Sequence, residues 1–328
     1  MKNPLKCSIG IMAYNEAKNL PVLMRALERQ KLKDVVIDEI LIISSGSTDN
    51  TNEVAQKAMK KNPKVQLLTE SKRSGKATAI NIFLESARNE ILVLESADTL
   101  PDRNTIERLV VPFRQKQIGI TGSHPVPVNP KNTIIGYAVN ALWDLHHEIS
   151  LHHPKIGETI AFRKSFKKIP VLSAVDEVNI EALLRGHGYK AVYVPDAIVR
   201  NKGPETFKEF TMQRRRIYAG HLATIREYSY TVSTISGHKI FLLMLQKSLK
   251  HAVKDVKHIP SGLFFTCTTI FLEAYSRGLG YIDFKFRHTD YSIWEIAQST
   301  KQVTATSIQQ KKKEGKFLKT ESLHIQNS

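Results

Sequence analysis

Residues 42–51 read IISSGSTDNT: an apolar strand end runs directly into six small or polar residues, Ser44, Ser45, Gly46, Ser47, Thr48 and Asp49. The strand is apolar without alternation (EILIIS, from residue 39), the pattern of a strand covered on both faces. The stretch TNEVAQKAMKK that follows has helical character. Outward from this unit the same alternation continues. SIGIM reads as a strand and LPVLMRALERQ as a helix with Leu20, Leu23, Met24 and Leu27 on one stripe. VQLLTE and EILVLES read as strands, KATAINIFLESARN and NTIERLVVPFRQK as helices. Strands alternating with helices of this length predict right-handed βαβ units, hence an α/β fold with a doubly wound, mainly parallel sheet.

In such a sheet, ligands bind beyond the carboxyl ends of the strands. Those ends carry Tyr14, Asn15 and Glu16, then residues 44–49, then 72–76, then Ser96, Ala97 and Asp98. The four clusters are expected to meet along one edge and form a pocket. After residue 117 the regularity loosens. IGITGSHPVPVNP reads as a strand leaving the parallel order, TIIGYAVNALWDLHHEIS as a helix, and ETIAFRKS as a short strand with a turn. VDEVNIEALLRGHGYKAVYVPDAIV predicts a helix that opens on carboxylates, ends at Gly186 or Gly188, and leads into a strand. A long helix from Pro204 to about Tyr230 carries QRRRIYAGH.

With 328 residues, 41% of them hydrophobic, the chain is long enough for a sizeable core. Its 48 Lys+Arg against 31 Asp+Glu leave a net charge of +17, which favours polyanionic partners without choosing among nucleic acid, anionic membranes and phosphorylated substrates. Cys7 and Cys267 lie far apart with no metal or redox spacing, so a reducing compartment is expected. The amino-terminal sequence lacks the pattern of a secretory signal, and no apolar run reaches the length of a membrane span. The histidines His146, His147, His152 and His153 read as a helix surface and turn rather than a metal site.

Acids, small polar residues and lysines at four strand ends suit a nucleotide diphosphate, held by helix-start N–H groups and a lysine. Neither GxxxxGK[ST] nor GxGxxG occurs, so a P-loop or Rossmann dinucleotide site is not supported. The ordered set IGIMAYNEAKNL, IISSGSTDNT, RSGKATAIN, VLESADTLPD, ETIAFRKS, DEVNIEALLRGHGYKAVYVPDA and QRRRIY resembles the family 2 glycosyltransferases, over roughly residues 5 to 220. The resemblance implies a GT-A fold, a nucleotide-sugar donor, UDP- or GDP-linked, and a divalent metal, Mg²⁺ or Mn²⁺.

It also implies roles for particular residues. Ala13, Tyr14 and Glu16 are similar to the turn that cradles the nucleoside. The stretch at 44–49 usually begins with two acids that contact base or ribose; Ser44 and Ser45 replace both here, while Gly46, Ser47, Thr48 and Asp49 remain. A serine still hydrogen-bonds a base edge, without the charge-assisted bond. Gly75, Lys76 and Asn81 match the family's glycine-lysine turn, with Lys76 facing the diphosphate. Where the family has Asp-x-Asp, this chain has Ser96, Ala97 and Asp98, leaving Asp98 as the metal ligand. One carboxylate with phosphate oxygens and waters suffices for Mg²⁺. Glu177 corresponds to the general base of an inverting displacement, with the adjacent Asp176 as the alternative. In QRRRIY, Gln213 and Arg216 stand in the Gln-x-x-Arg-Trp signature of processive members, Arg216 against the leaving diphosphate. Ile217 replaces the tryptophan, which argues against processivity. Arg163, in the short ETIAFRKS motif, is included among the donor-binding candidates.

Residues 200–258 hold 12 Lys/Arg against 4 Asp/Glu. Within them, Ile240, Leu243, Met244 and Val253 share an apolar face flanked by Lys247, Lys250, Lys254 and Lys257, followed by the short apolar GLFFTCTTIFL. That combination reads as an interfacial membrane anchor; no nucleic-acid motif accompanies the charge, and no nucleic-acid partner is expected. The expected organisation is a GT-A catalytic domain at 1–203, a basic amphipathic helical appendage at 204–298, and a Lys-rich, disordered tail at 299–328. The expected protein is a cytoplasmic, peripheral, inverting, metal-dependent glycosyltransferase acting on a hydroxyl or phosphate of a lipid or lipid-linked acceptor. The competing reading, motivated by Ser44, Ser45 and Ser96, is a catalytically silent sugar-nucleotide or lipid-binding protein of the same fold.

Overall fold

The computed structural model describes residues 3–172, 174–235 and 259–301. Eight strands form one sheet in the order β3-β2-β1-β4-β7-β6-β8-β5. They are β1 (Leu5–Ala13), β2 (Val35–Ser45), β3 (Val65–Glu70), β4 (Ile91–Ser96), β5 (Leu100–Pro101), β6 (Ile118–Pro127), β7 (Ile160–Arg163) and β8 (Lys190–Asn201). The first four read as expected: β1 pairs in parallel with both β2 and β4, and β2 with β3. The chain winds outward from β1 through β2 to β3, then returns to place β4 on the other side of β1. The order therefore reverses between β1 and β4, the crevice where open α/β sheets bind ligands. β7 then enters antiparallel to both β4 and β6, while β6 and β8 pair in parallel.

The helices are α1 (Leu20–Glu28), α2 (Thr51–Lys61), α3 (Lys76–Ser86), α4 (Thr105–Val110), α5 (Ile134–His152), α6 (Asp176–Gly186), α7 (Phe207–Tyr228) and α8 (Ile259–Ile282). The continuous apolar strands are buried on both faces, as their lack of alternation requires. Ile40, Ile42, Ile91 and Val93 join the core under α1, α2 and α4; Leu41, Ile43, Leu92 and Leu94 join the one under α3 and α6. Gly10 in β1 lets α3 sit close: a Cβ there would lie 2.5 Å from the Phe83 ring. The stretch NTIERLVVPFRQK is shorter as an α-helix than its pattern suggests. Pro112 lacks an N–H, and the chain tightens into a 3-10 turn at Val111–Arg114.

Residues of α5, α7 and α8, among them Ile135, Val139, Phe210 and Leu272, form a third core beside the sheet. Helix α7 is thereby held against the carboxyl edge. The lysine-flanked stretch from Ile240 to Lys257 lies outside the described residues, and so does the tail beyond Lys301.

Candidate active site

The turns after β1 and β2 are stitched to one another. Asn15 has a left-handed backbone (φ 54°), and its side-chain carbonyl accepts the Thr48 N–H at 2.8 Å. Thr51 Oγ1 accepts the Glu16 N–H at 2.8 Å, and Asp49 accepts that of Ala17 at 3.2 Å. Ser44 donates to Ser47 at 2.9 Å. Most small polar residues of 44–51 thus spend their hydrogen-bonding capacity on shaping the crevice, which explains their types without a ligand. Gly46 (φ 63°) is forced by the loop after β3, since a Cβ would lie 2.3 Å from Arg73 N. Ser45 accepts the Ser74 N–H at 3.2 Å, and the Arg73 guanidinium lies over the Tyr14 ring at 4.4 Å.

These elements open onto a cavity of about 1040 Å³. Ala13, Tyr14, Glu16, Ser45, Gly75, Lys76, Ser96, Asp98, Asp176, Glu177, Gln213 and Arg216 all line it, so most of the sequence candidates converge. Others do not. Ala97 is buried beneath the edge in the main core, and Ser44 and Asp49 serve the turns just described. Asn81 exchanges two hydrogen bonds with the Ile169 backbone, 2.8 and 3.0 Å, pinning the loop that precedes α6. Arg163 is corrected outright as a donor-binding candidate. It pairs with Ile91 at the opposite, amino end of β4, and its guanidinium is spent on Ile118 O, Phe113 O and Glu90 at 2.8–2.9 Å. Because β7 runs antiparallel, the end of its motif points away from the site.

At the centre, Lys76 Nζ donates to Glu177 Oε1 at 2.5 Å, with side chains only 21% and 17% exposed. Burial opposes both charges, but the pairing wins. Lys76 is held above its ordinary range by Glu177 and Asp176, and Glu177 below its own by Lys76 and Arg216. Around the pair stand further carboxyls. Glu158, with a left-handed backbone (φ 55°), has its carboxyl pushed up to about 7, first by burial and then by repulsion from Asp98 and Glu177. Glu16 is likewise raised to about 7, by burial and Asp98, against the opposing effect of Lys301. Glu95 points away from the cavity, as alternation along β4 predicts; it is fully buried, accepts from Thr99 at 2.5 Å and Thr159 at 3.0 Å, and burial raises it to about 8.

Among the described residues no group of three His, Cys, Asp or Glu is arranged as a metal cage. What the residues offer a divalent cation is Asp98 on the cavity wall, amid carboxyls whose mutual repulsion a cation relieves. That fits a metal held jointly by Asp98 and a bound diphosphate.

The carboxyl-terminal segment completes the site, which sequence reading missed. Residues 289–297 and Lys301 line the cavity. Lys301 Nζ reaches Tyr14 O at 2.9 Å and forms an ion pair with Glu16. Arg73 donates to Trp294 O at 2.7 Å, and the Arg216 guanidinium lies 4.1 Å from the Trp294 ring centre while donating to Ala174 O at 2.8 Å. Ser299, assigned from sequence to a disordered tail, is bonded to Glu209. No tryptophan directly follows Arg216 in sequence, but the fold brings Trp294 against it from beyond α8. Glu158, Arg73 and Lys301 were also missed. Glu158 opens the recognised ETIAFRKS stretch, and Arg73 falls within a strand-end cluster; Lys301 offers no local signal.

An open, mainly parallel sheet with a crevice at its strand-order reversal, a lysine-paired carboxylate and a helix-borne arginine defines a glycosyltransferase of the GT-A fold. The chain belongs to glycosyl transferase family 2, whose model matches residues 8–175. Over 109 residues, covering 31% of this chain and 34% of the relative, it is 35% identical to human dolichyl-phosphate beta-glucosyltransferase. Over 255 residues, 72% of this chain and 60% of the relative, it is 23% identical to the poly-beta-1,6-N-acetyl-D-glucosamine synthase of Staphylococcus aureus strain COL. The matches thus span about a third to three-fifths of these relatives' lengths. A mannosyltransferase from Pyrobaculum calidifontis, solved with GDP-Man and Mn²⁺, superposes with a TM-score of 0.63 at 20% identity, covering 88% of this chain and 89% of that one.

Proposed function

We propose that this chain transfers a sugar from a UDP- or GDP-linked donor to an acceptor, with inversion at the anomeric carbon. The observation that carries this reading is the buried Lys76–Glu177 pair, which puts a phosphate-binding cation and a base in direct contact. The nucleoside lies along Tyr14, Arg73 and Ser45, and the diphosphate reaches Gly75 and Lys76 at the start of α3, where helix N–H groups favour anions. Bound diphosphate competes with Glu177 for Lys76. Once Lys76 turns to phosphate, the Glu177 carboxylate is released from its strongest partner and becomes basic enough to take a proton. The acceptor oxygen then bonds to the anomeric carbon as its proton passes to Glu177. The anomeric carbon–oxygen bond breaks with its electron pair going to the departing diphosphate, whose charge Arg216 and Lys76 offset. When bound, Mg²⁺ or Mn²⁺ would be held by Asp98 together with the diphosphate and would further neutralise the charge of the leaving group. The metal seen in the archaeal mannosyltransferase supports that expectation.

The name of the human relative supports a lipid-linked acceptor. So does helix α8, whose Phe264, Phe271, Tyr275 and Ile282 are exposed along one face. On this reading the protein is peripheral, at the cytoplasmic face of a membrane; no helix among the described residues is long and apolar enough to cross one. Incubation with a panel of UDP- and GDP-sugars, with Mg²⁺ or Mn²⁺, tests the proposal: one donor should be hydrolysed slowly without acceptor and consumed faster, by sugar transfer, with it. Tight nucleotide binding with no turnover of any donor identifies a silent binding protein instead.

A further inference from the structure

Apart from the Lys76–Glu177 pair, the lining of the same cavity includes a basic inner wall of buried and half-buried side chains. Lys155, on the loop between α5 and β7, His146 on α5, Arg214 and His221 on α7, and Arg277 on α8 all line it. Arg214 and Arg277 share one carboxylate, Glu273, at 2.6–2.8 Å. Lys155 has no carboxylate of its own among the described residues, so three cations face one paired anion. The nearby Glu181 is already held by Arg185 at 2.9 Å.

His146 was expected from sequence on a helix surface, yet it is only 5% exposed; His221, on α7, is only 7% exposed. Both ring nitrogens of His146, and Nδ1 of His221, lack a hydrogen-bond partner among the described residues. Each neutral ring carries one N–H; leaving such a donor buried and unsatisfied costs about 1–3 kcal/mol, a cost that an anion accepting from it removes. The rings do not compensate by charging: burial and Lys155 hold both well below the ordinary histidine range. Burial and the neighbouring Arg214 bring Lys155 itself down to about 8, the direction a missing anion produces.

We propose that this inner wall is a second anion site, separate from that of the donor diphosphate, and that it holds a phosphate group of the acceptor. Phosphate fits better than a carboxylate because the donors converge from α5, the α5–β7 loop and α7, and its oxygens accept from several sides at once. A doubly charged group also matches the surplus of cations. The spacing suits a single acceptor. Lys155 lies three residues before Glu158, at most about 11 Å of extended chain. His221 lies five residues beyond Arg216, about 7.5 Å along the helix. Trp143, Val139 and Leu142 line the same cavity and offer apolar surface to whatever the phosphate carries. Only the word acceptor rests on the proposed function; the anion site stands on its own residues.

Calorimetry with inorganic phosphate, phenyl phosphate and geranyl phosphate tests the site, each alone and with saturating UDP or GDP, on the full chain. At least one should bind, and should still bind with the nucleotide present. Lys155→Met and His146→Phe should each weaken it tenfold or more while changing nucleotide affinity less than twofold, and Lys155→Arg should restore most of the loss. Geranyl phosphate binding tenfold tighter than inorganic phosphate assigns a lipid phosphate; equal affinities assign a soluble phosphate ester. The proposal is overturned if wild-type protein binds none of the three at millimolar concentration, or if nucleotide displaces them. Should the methionine variant fail to fold, that wild-type competition still decides. Phosphate binding without nucleotide binding leaves this site standing and removes the donor reading instead.

Discussion

Replacing Glu177 with glutamine separates the two roles of the central pair. The amide keeps the shape and can still accept from Lys76 Nζ, but it carries no charge and cannot act as a base. Unit charges at 4 Å attract by about 4 kcal/mol at an effective dielectric constant of about 20, and Lys76 and Glu177 sit at 2.5 Å. Desolvation opposes that gain. Lys76 also keeps the Coulombic company of Asp176 and Glu158, so it is not stranded. The stability loss should therefore fall near 1–3 kcal/mol, the cost of a weakened buried hydrogen bond, rather than the 3–5 kcal/mol of an abandoned buried charge. With its strongest competitor gone, Lys76 is freer to meet a diphosphate, and UDP or GDP affinity should rise by up to tenfold, about 1.4 kcal/mol. Turnover should nevertheless fall by about 10²–10⁴. Urea unfolding, nucleotide calorimetry and single-turnover transfer read the three quantities separately. A variant that folds and turns over within tenfold of wild type refutes the base. One that binds nucleotide more than tenfold worse shows Glu177 to be a positioning anchor for Lys76. A dead Asp176→Asn beside a live Glu177→Gln moves the base by one residue.

Asp98→Ala should weaken metal-supported nucleotide binding at least tenfold, about 1.4 kcal/mol, and make it indifferent to chelator; equal affinity in calorimetry with and without chelator, in wild type, removes the metal. Stability should depend on Glu95, whose folded carboxyl is raised to about 8. The folded state keeps a proton that the unfolded chain gives up near pH 4.5, so stability is full below that value and lost as pH rises toward 8. Glu95→Gln should flatten the fall of Tm over that window, and an unchanged slope would place its cause elsewhere. Phe271→Ser, at a side chain 68% exposed on α8, should reduce binding to anionic vesicles without changing Tm by more than a degree or two, and wild-type binding should drop at high salt. Absence of vesicle binding by the intact chain at low salt would leave α8 without a membrane role.

The parallel half of the sheet and most of its functional edge were legible in sequence because they are encoded locally. Short β-branched apolar runs bounded by turn residues and alternating with helical stretches fit doubly covered strands, and the turns after them carry their own chemistry within a few residues. Tyr14, Ser45, Lys76, Asp98, Glu177 and Arg216, all of which line the cavity, were singled out that way. Local pattern says nothing about which distant turns share a crevice or which way a late strand runs. The antiparallel entry of β7 sends Arg163 to the far end of the sheet and brings Glu158 to the near one. The Lys76–Glu177 contact spans 101 residues of chain, and that of Lys301 with Tyr14 spans 287. Neither leaves a periodic trace. The paired histidines read as a surface because helical spacing shows which residues share a face, not what covers it. Packing of α7 and α8 over α5 turned His146 inward, and with Lys155 and His221 it made the inner wall. Sequence alone determined which strand ends carry the polar and charged turns; only the tertiary structure decided what the carboxylates and cations are paired with, because Coulomb energies depend on distances that burial and topology set.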